Sequence, residues 1–305
     1  MKITLLAGGT AGAKMAYGLK NSDANFKIIV NTADDEEVLG LYISPDFDSI
    51  LYSLMGVFDF ERNWGIKGDT FNLYDWLDRY SSRPYIALGD RDMAMHIIRS
   101  NLLRQGKTLS EAFRELVRLS KVGVEIYPPS NDRLTTMVMV DDREITFEEY
   151  FVKRVSGRLG GLWIKGSDRA TASAEALKAI NDSDAIIIAP SNPLASILPI
   201  ISVREIRDAV RNFTGTRIAI SPLKGSSAFK GPASKMMSDL GFVPNSYGVA
   251  LLYSGLIDKI IIDRSDSDLA DSIKRAGISP LIFDDIYMKD ENDMIRFTSN
   301  VLSKI

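Results

Sequence analysis

Ile3-Thr4-Leu5-Leu6-Ala7-Gly8-Gly9-Thr10-Ala11-Gly12-Ala13-Lys14-Met15-Ala16 is a short apolar run that breaks into closely spaced glycines and resumes with helix formers. The spacing predicts a strand, a tight turn and a helix start, the opening unit of an α/β sheet. Glycine lets the main chain take positive φ and approach an anion without an intervening Cβ, and the unpaired amides of a helix start favour negative charge. Phosphate is therefore the first ligand class to consider, with Gly8, Gly9, Thr10 and Lys14 as candidate contacts. The turn matches neither G-x-x-x-x-G-K-[ST] nor a complete G-x-G-x-x-G, which disfavours a nucleoside-triphosphate motor and an ordinary dehydrogenase. The plainer alternative is that Gly8 and Gly9 only make the turn.

The rest of the composition narrows the chemistry. With 305 residues, 45% of them hydrophobic and 25% charged, the chain can bury a sizeable core and has the make-up of a globular protein. No apolar stretch approaches the roughly 18 to 20 residues of a membrane span. The N-terminus enters a strand without a secretory signal, so a cytoplasmic protein with no membrane partner is expected. The absence of cysteine excludes thiolate catalysis and cysteine-bound metals, and the single histidine, His96, excludes a multi-histidine zinc site. His96 falls within a helical pattern and reads as a packed or surface residue rather than a catalyst. Any metal would be held by carboxylates, which favours Mg²⁺. A net charge of -3 argues against a nucleic-acid partner.

Outward from the first turn, Phe26–Val30 reads as a second strand ending in Asn31-Thr32-Ala33-Asp34-Asp35-Glu36-Glu37. Ser44-Pro45-Asp46-Phe47-Asp48 has the signature of a helix start, with Ser44 as N-cap and Pro45 in the first turn. An acid in that turn contributes about 0.3–1 kcal/mol, so losing the Asp48 charge is expected to leave stability nearly unchanged. Helical patterns follow over 71–80, 92–105 and 110–119, with the short apolar run Tyr85–Leu88 before Gly89-Asp90-Arg91-Asp92. Between Val122 and Ile164 the pattern turns to short β-like runs, Val124–Tyr127, Thr135–Val140 and Ile145–Phe147, which predict an inserted β-rich subdomain. Alternation then resumes, with apolar runs Ala185–Ile188, Arg217–Ile220, Lys259–Asp263 and Leu281–Phe283 separated by helical segments.

The expected fold is α/β and Rossmann-like: a mostly parallel, doubly wound sheet from residues 1–121 and 165–305, with 122–164 as a smaller inserted β-rich or mixed subdomain. The strand-terminal loops GGT, NTADD, PSNP and SPLKG would converge at the carboxyl edge of the sheet. One crevice would then offer amides and lysines to phosphates and carboxylates to a metal, a combination better suited to chemistry on a diphosphate than to hydride transfer.

The ordered set GGT…K, NTADD, SPDFD-SILY, WGIKGDTF, LGDRD, PSNP, SPLKG and GPASKMM, from residue 3 to about 263, resembles the 2-phospho-L-lactate transferase family. The resemblance implies a homodimer and Mg²⁺-dependent transfer of a phospholactyl group from a guanosine diphosphate-linked lactate to the ribityl hydroxyl of the deazaflavin 8-hydroxy-5-deazariboflavin. GMP would leave, and the product would be a precursor of coenzyme F-420. Carried over by position, the resemblance places Asp48 and Ala87 beside the deazaflavin. It places Gly8, Gly9, Thr10, Ser191 and Asn192 near the guanosine diphosphate part. The family commonly reads GGTGTPK where this chain has Gly8-Gly9-Thr10-Ala11-Gly12-Ala13-Lys14. The position of Ala87 is often basic in the family.

Attack of an alcohol on a diphosphate needs the charge on the leaving nucleotide neutralised and the hydroxyl held in line, with a base nearby. Asp46 and Asp48 are both candidates to bind Mg²⁺ and to take the proton. Two rivals remain: a non-enzymatic regulator of the same superfamily that binds a nucleotide sugar, and a nucleotide-dependent oxidoreductase. SPDFDSILY and LGDRD favour the transferase, and the incomplete dinucleotide fingerprint disfavours the oxidoreductase. Three-carbon acids of similar charge differ by few atoms, so the donor's acid stays open among lactate, enolpyruvate and glycerate.

Overall fold

The structure is a computed structural model that describes residues 1–225, 227–228 and 232–305; Gly231, the first residue of the GPASKMM motif, lies outside them. Seven strands form one sheet: β1 (Lys2–Ala7), β2 (Asn25–Val30), β3 (Ile126–Tyr127), β4 (Ala185–Ile188), β5 (Thr216–Ile220), β6 (Lys259–Asp263) and β7 (Ser279–Phe283). Their spatial order is β7-β6-β5-β4-β1-β2-β3, and every pairing is parallel. This is the Rossmann order, reversing between β1 and β4, extended by one strand. Helices flank the sheet, as expected of a doubly wound α/β protein.

Alternation along each strand divides the core. Leu6, Ile29, Ile186, Ile188, Ala219 and Ile260 face one apolar cluster, while Ile3, Leu5, Ile28, Ile187, Ile218 and Ile261 face another. Strands covered on both faces read as unbroken apolar runs, which is why Ala185-Ile186-Ile187-Ile188 was legible as a central strand. On the second face lies the Gly9–Lys20 helix, whose Gly12, Met15, Ala16 and Leu19 recur at helical spacing and are buried. The C-terminal helix Glu291–Leu302 closes over it, burying Met294, Phe297 and Val301.

Several boundaries differ from the reading of the sequence. Ile126–Tyr127 pairs with β2 as the edge of the main sheet instead of joining the inserted strands. The inserted sheet consists of Thr135–Val140 between Arg143–Thr146 and Leu159–Lys165, all antiparallel. Its Val138, Val140, Leu159 and Ile164 belong to the first apolar cluster of the main sheet. Phe147 starts a helix, Phe147–Val152, because Thr146 caps it by accepting from Glu149 N at 3.1 Å. Tyr85–Leu88 is irregular. The stretch after PSNP turns directly into helix, Pro193–Ile197 running into Leu198–Ser202. Its prolines fall in the first turn of each segment, where a missing N–H is harmless, so proline there is no helix breaker.

The two helices of the second face touch at Gly18, where a Cβ would overlap the Thr298 hydroxyl and lie 2.5 Å from the Met294 carbonyl oxygen. Gly18→Ala is expected to destabilise the protein by about 1–3 kcal/mol through overpacking, despite alanine's better helix propensity. Urea unfolding checks this, and a mutant as stable as wild type would contradict the contact.

Candidate active site

The crevice lies where the strand order reverses. Ser191, just beyond β4, donates its hydroxyl to the Gly8 carbonyl at 2.7 Å and accepts from Gly8 N at 3.2 Å. Gly8 itself is extended, but a Cβ there would come within 2.5 Å of Asp46 Oδ2 and 2.8 Å of Ser196 Cβ. Gly9 follows at φ +61, in the left-handed region that side chains avoid. The first residue must be glycine for space and the second for conformation.

Around this turn opens a cleft of about 930 Å³. Its lining includes Gly8, Gly9, Thr10, Lys14, Asp46, Asp48, Ala87, Ser191 and Asn192, so every residue singled out from the sequence borders one cavity. Their local roles differ. Thr10 Oγ1 donates to the Asn63 carbonyl at 2.9 Å. Lys14 Nζ donates to the Met288 carbonyl at 2.6 Å and sits 5.3 Å from the Tyr287 ring centroid. Asn192 caps the helix that follows it, accepting from Leu194 N and Ala195 N. Lys224 of the SPLKG loop pairs with Asp263 at 3.2 Å, and Pro222 is that loop's contribution to the cleft.

The two acids of SPDFD part company. Two positions apart on a helix, they face directions about 200° apart. Asp46 turns to Asn31, whose Nδ2 donates to Asp46 Oδ2 at 3.0 Å and to Asp34 Oδ2 at 2.8 Å. Burial raises the Asp46 pKa to about 6, against the pull of Asn31 and the Gly9 amide. Asp34 is pushed well up by burial and by the negative charges of Asp46 and Glu148, and its Oδ1 has no donor in hydrogen-bonding geometry. Glu148, on the Phe147–Val152 helix of the insert, is raised to about 8 by burial and by Asp46. Nearby Asp35 is also raised to about 8 by burial, although it accepts the Ser44 hydroxyl at 2.7 Å. That hydrogen bond corrects the expected cap: Ser44 occupies the N-cap position but its side chain does not cap the helix.

Asp48 belongs to a different network. Arg99, fully buried in the Asp92–Arg104 helix, grips it with both terminal nitrogens, Nη1 at 3.1 Å from Oδ2 and Nη2 against Oδ1. His96 lies between Asp48 and Asp92, Nδ1 3.5 Å from the former and Nε2 3.3 Å from the latter. Tyr52 donates its hydroxyl to Asp92. Tyr52, Asp48, Asp92 and His96 all border the cleft. The sequence reading set His96 aside; its signal was the i, i+4 spacing from Asp92, one turn along a helix that LGDRD itself opens. Glu148 was missed because its segment read as β.

Burial raises Asp34, Asp46 and Glu148 beside a helix N-terminus, and the Asp46 charge raises the other two; a hard divalent cation at Asp34 and Asp46, which share the Asn31 amide, would offset that charge. Asp48, by contrast, already has a cation. The fold and the cleft define a Rossmann-type protein with a ligand site at the switch point, in which a glycine turn, buried acids and a second polar network share one cavity.

Comparisons with known proteins show the family of this chain. The profile of the family described as 2-phospho-L-lactate transferase CofD matches residues 3–301. A 2-phospho-L-lactate transferase from Methanopyrus kandleri is 35% identical over 309 residues, spanning 99% of this chain and 97% of that protein. A phosphoenolpyruvate transferase from Streptomyces griseus is 35% identical over 299 residues, 94% of each chain. A crystal structure of a upf0052 family member from Bacillus halodurans covers 99% of both chains with a TM-score of 0.66 at 16% identity, a likeness of fold alone. The chain belongs to the 2-phospho-L-lactate transferase CofD family, and it is a transferase. None of the helices among the described residues is long and apolar enough to cross a membrane.

Two outcomes follow from the electrostatics. The raised acids contribute stability that is fully present below the ordinary carboxylate range and lost as pH rises through about 6 for Asp46 and about 8 for Glu148 and Asp35. The melting temperature of the ligand-free protein should therefore fall between pH ~5 and ~8. A melting temperature that rises over that range would contradict the cluster. The second outcome corrects the expectation for Asp48: Asp48→Asn strands Arg99 as a buried unpaired charge, so it should cost roughly 3–5 kcal/mol in urea unfolding instead of almost nothing.

Proposed function

We propose that this transferase moves a phospholactyl group from a guanosine diphosphate-linked lactate to the primary hydroxyl of 8-hydroxy-5-deazariboflavin, yielding a coenzyme F-420 precursor and GMP. The observation that carries the reading is the juxtaposition of an anion-binding helix start with buried, uncompensated carboxylates in one cleft large enough for two substrates. Gly8 N–H is engaged by Ser191 and Gly9 N–H by Asp46, so the amides that meet the donor diphosphate are the next ones, of Thr10 and Ala11. The names of the relatives support both a lactate and an enolpyruvate donor.

Mg²⁺ fits the residues present, with Asp34 and Asp46 as holders and Asn31 fixing both, and when bound it would neutralise charge on the diphosphate. The chain's own residues do the rest. Asp48, oriented by Arg99 and His96, faces the deazaflavin with Ala87 in the same cleft. The deazaflavin hydroxyl attacks the phosphorus bearing the lactyl group, the P–O bond to GMP breaks, and the hydroxyl proton passes to a carboxylate. Because Asp48 is committed to Arg99 and Asp46 to holding Mg²⁺, Glu148 is the carboxyl left to take it. The protein acts in the cytoplasm as a homodimer, a state that sedimentation would test.

Purified protein is to be incubated with the deazaflavin, Mg²⁺ and either the lactyl or the enolpyruvyl donor, with mass spectrometry of the products. The expected result is the phospholactyl adduct together with GMP, abolished by EDTA and restored by Mg²⁺. Nucleotide binding without transfer would overturn the reading in favour of a regulator. Asp46→Asn keeps shape and has no buried cation to strand, so turnover should drop roughly 10²-fold or more with little change in melting temperature.

A further inference from the structure

Four lysine and arginine side chains border the cleft among the described residues: Lys14, Arg62, Arg154 and Lys235. Three of them are engaged by the protein itself. Lys14 Nζ donates to the Met288 carbonyl at 2.6 Å, and Arg62 lies 3.6 Å from Asp59 and 5.2 Å from the Trp64 ring centroid. Lys235 Nζ donates to the Gly157 carbonyl at 2.7 Å and to Asp239 at 2.5 Å. Arg154 is exposed, and its guanidinium has neither a carboxylate nor a carbonyl partner among the described residues. Its neighbour Lys153 pairs with Glu149 at 2.7 Å.

The backbone that carries Arg154 is strained and firmly held. The helix Phe147–Val152 ends at Lys153, and Arg154 follows at φ +50, the left-handed place after a helix where glycine or asparagine is usual. Arg154 N donates to the Phe151 carbonyl at 3.3 Å and Val155 N to the Tyr150 carbonyl at 3.0 Å. Val155 packs against the apolar cluster of the main sheet, and Lys235 fixes the Gly157 carbonyl three residues after Arg154. An unpaired cation kept in a costly backbone conformation on a cleft wall is a preorganised seat for an anion.

We propose that Arg154 binds the carboxylate of the donor's three-carbon acid, and so selects a donor that carries an acid. The proposal rests on the function proposed above. The donor brings two kinds of anion to the cleft. Its diphosphate has partners in the helix-start amides and in the Mg²⁺ that Asp34 and Asp46 would hold, whereas its carboxylate has none. Glu148 and Arg154 both border the cleft, at opposite ends of one short helix and roughly 9 Å apart along its axis. An extended arginine side chain bridges much of that span. The carboxylate, borne by the carbon whose oxygen carries the phosphorus, covers the remainder. The guanidinium fork matches a carboxylate with two parallel hydrogen bonds, a geometry that a lysine lacks. Lactate, enolpyruvate and glycerate share that carboxylate, so Arg154 serves each of them.

The test uses the full chain and calorimetry without acceptor, with two ligands: the lactyl donor, and GDP, which lacks the carboxylate. Arg154→Ala is expected to raise the donor Kd roughly tenfold or more and to leave the GDP Kd unchanged, because the charge-assisted hydrogen bonds are lost only with the donor. In turnover, donor KM should rise in step while acceptor KM stays as it is, and Arg154→Lys should recover part of the loss through its charge. Arg154→Gly suits the left-handed backbone, so it should melt no lower than wild type yet show the same loss of donor affinity, which separates binding from folding. An equal rise in the GDP Kd would put Arg154 on a phosphate and overturn the proposal, as would wild-type donor affinity in Arg154→Ala. Wild-type protein that binds GDP but transfers nothing from the donor would overturn the function on which the proposal rests, and that measurement needs no variant.

Discussion

The absence of a side chain at Gly8 is the constraint on which the site depends. Only a bare Cα lets the Asp46 carboxylate, Ser196 and Asn31 close on the end of β1, where a Cβ would stand 2.5 Å from Asp46 Oδ2. That approach brings together the ends of β1, β2 and β4 with the start of the Pro45–Met55 helix. Ser191 fastens the junction by exchanging two hydrogen bonds with Gly8, and Asn31 fastens it again by reaching Asp34, Asp46 and the Ala195 carbonyl. The glycine turn is thus the point where the sheet's crossover becomes a binding site.

The site divides its charges unequally. Around Asp48 the protein supplies its own balance: a buried arginine, a histidine between two carboxylates and a tyrosine hydroxyl. Such a network holds its members in one geometry, because moving any of them leaves a buried charge unpaired. Around Asp46 and Asp34 none of the described residues supplies a comparable cation; burial raises both acids, and the Asp46 and Glu148 charges raise Asp34 further. The first arrangement suits holding a substrate in place. The second suits a site whose charge is completed by what binds.

The inserted sheet joins this economy of charge through one turn of helix. Thr146 caps Phe147–Val152, Phe147 and Tyr150 anchor it in the main apolar cluster, and Glu148 is thereby presented to the acids of the other elements. Thr146 Oγ1 also donates to Glu36 at 2.7 Å, and Thr136 N to the Ala33 carbonyl at 2.8 Å, which fasten the insert to the loop after β2. The insert is part of the cleft wall.

The framework was legible in the sequence alone. Apolar runs of strand length and period-3.6 patterns are local signals, and they sufficed for the parallel sheet, the helix start at Pro45 and the glycine turn. The order of motifs sufficed for the family. The pairing of Ile126–Tyr127 with β2 was illegible, because two residues carry no periodicity and only a neighbouring edge strand makes them a strand. The helix at Phe147 was masked by β-branched and aromatic residues whose propensity tertiary packing overrides. The fate of Asp48 was decided by structure alone: on a lone helix it is an exposed dipole partner, and it becomes half of a buried ion pair only because the Asp92–Arg104 helix lays Arg99 and His96 against it. Charge, burial and partner identity are properties of elements brought together from afar, and no local pattern encodes them.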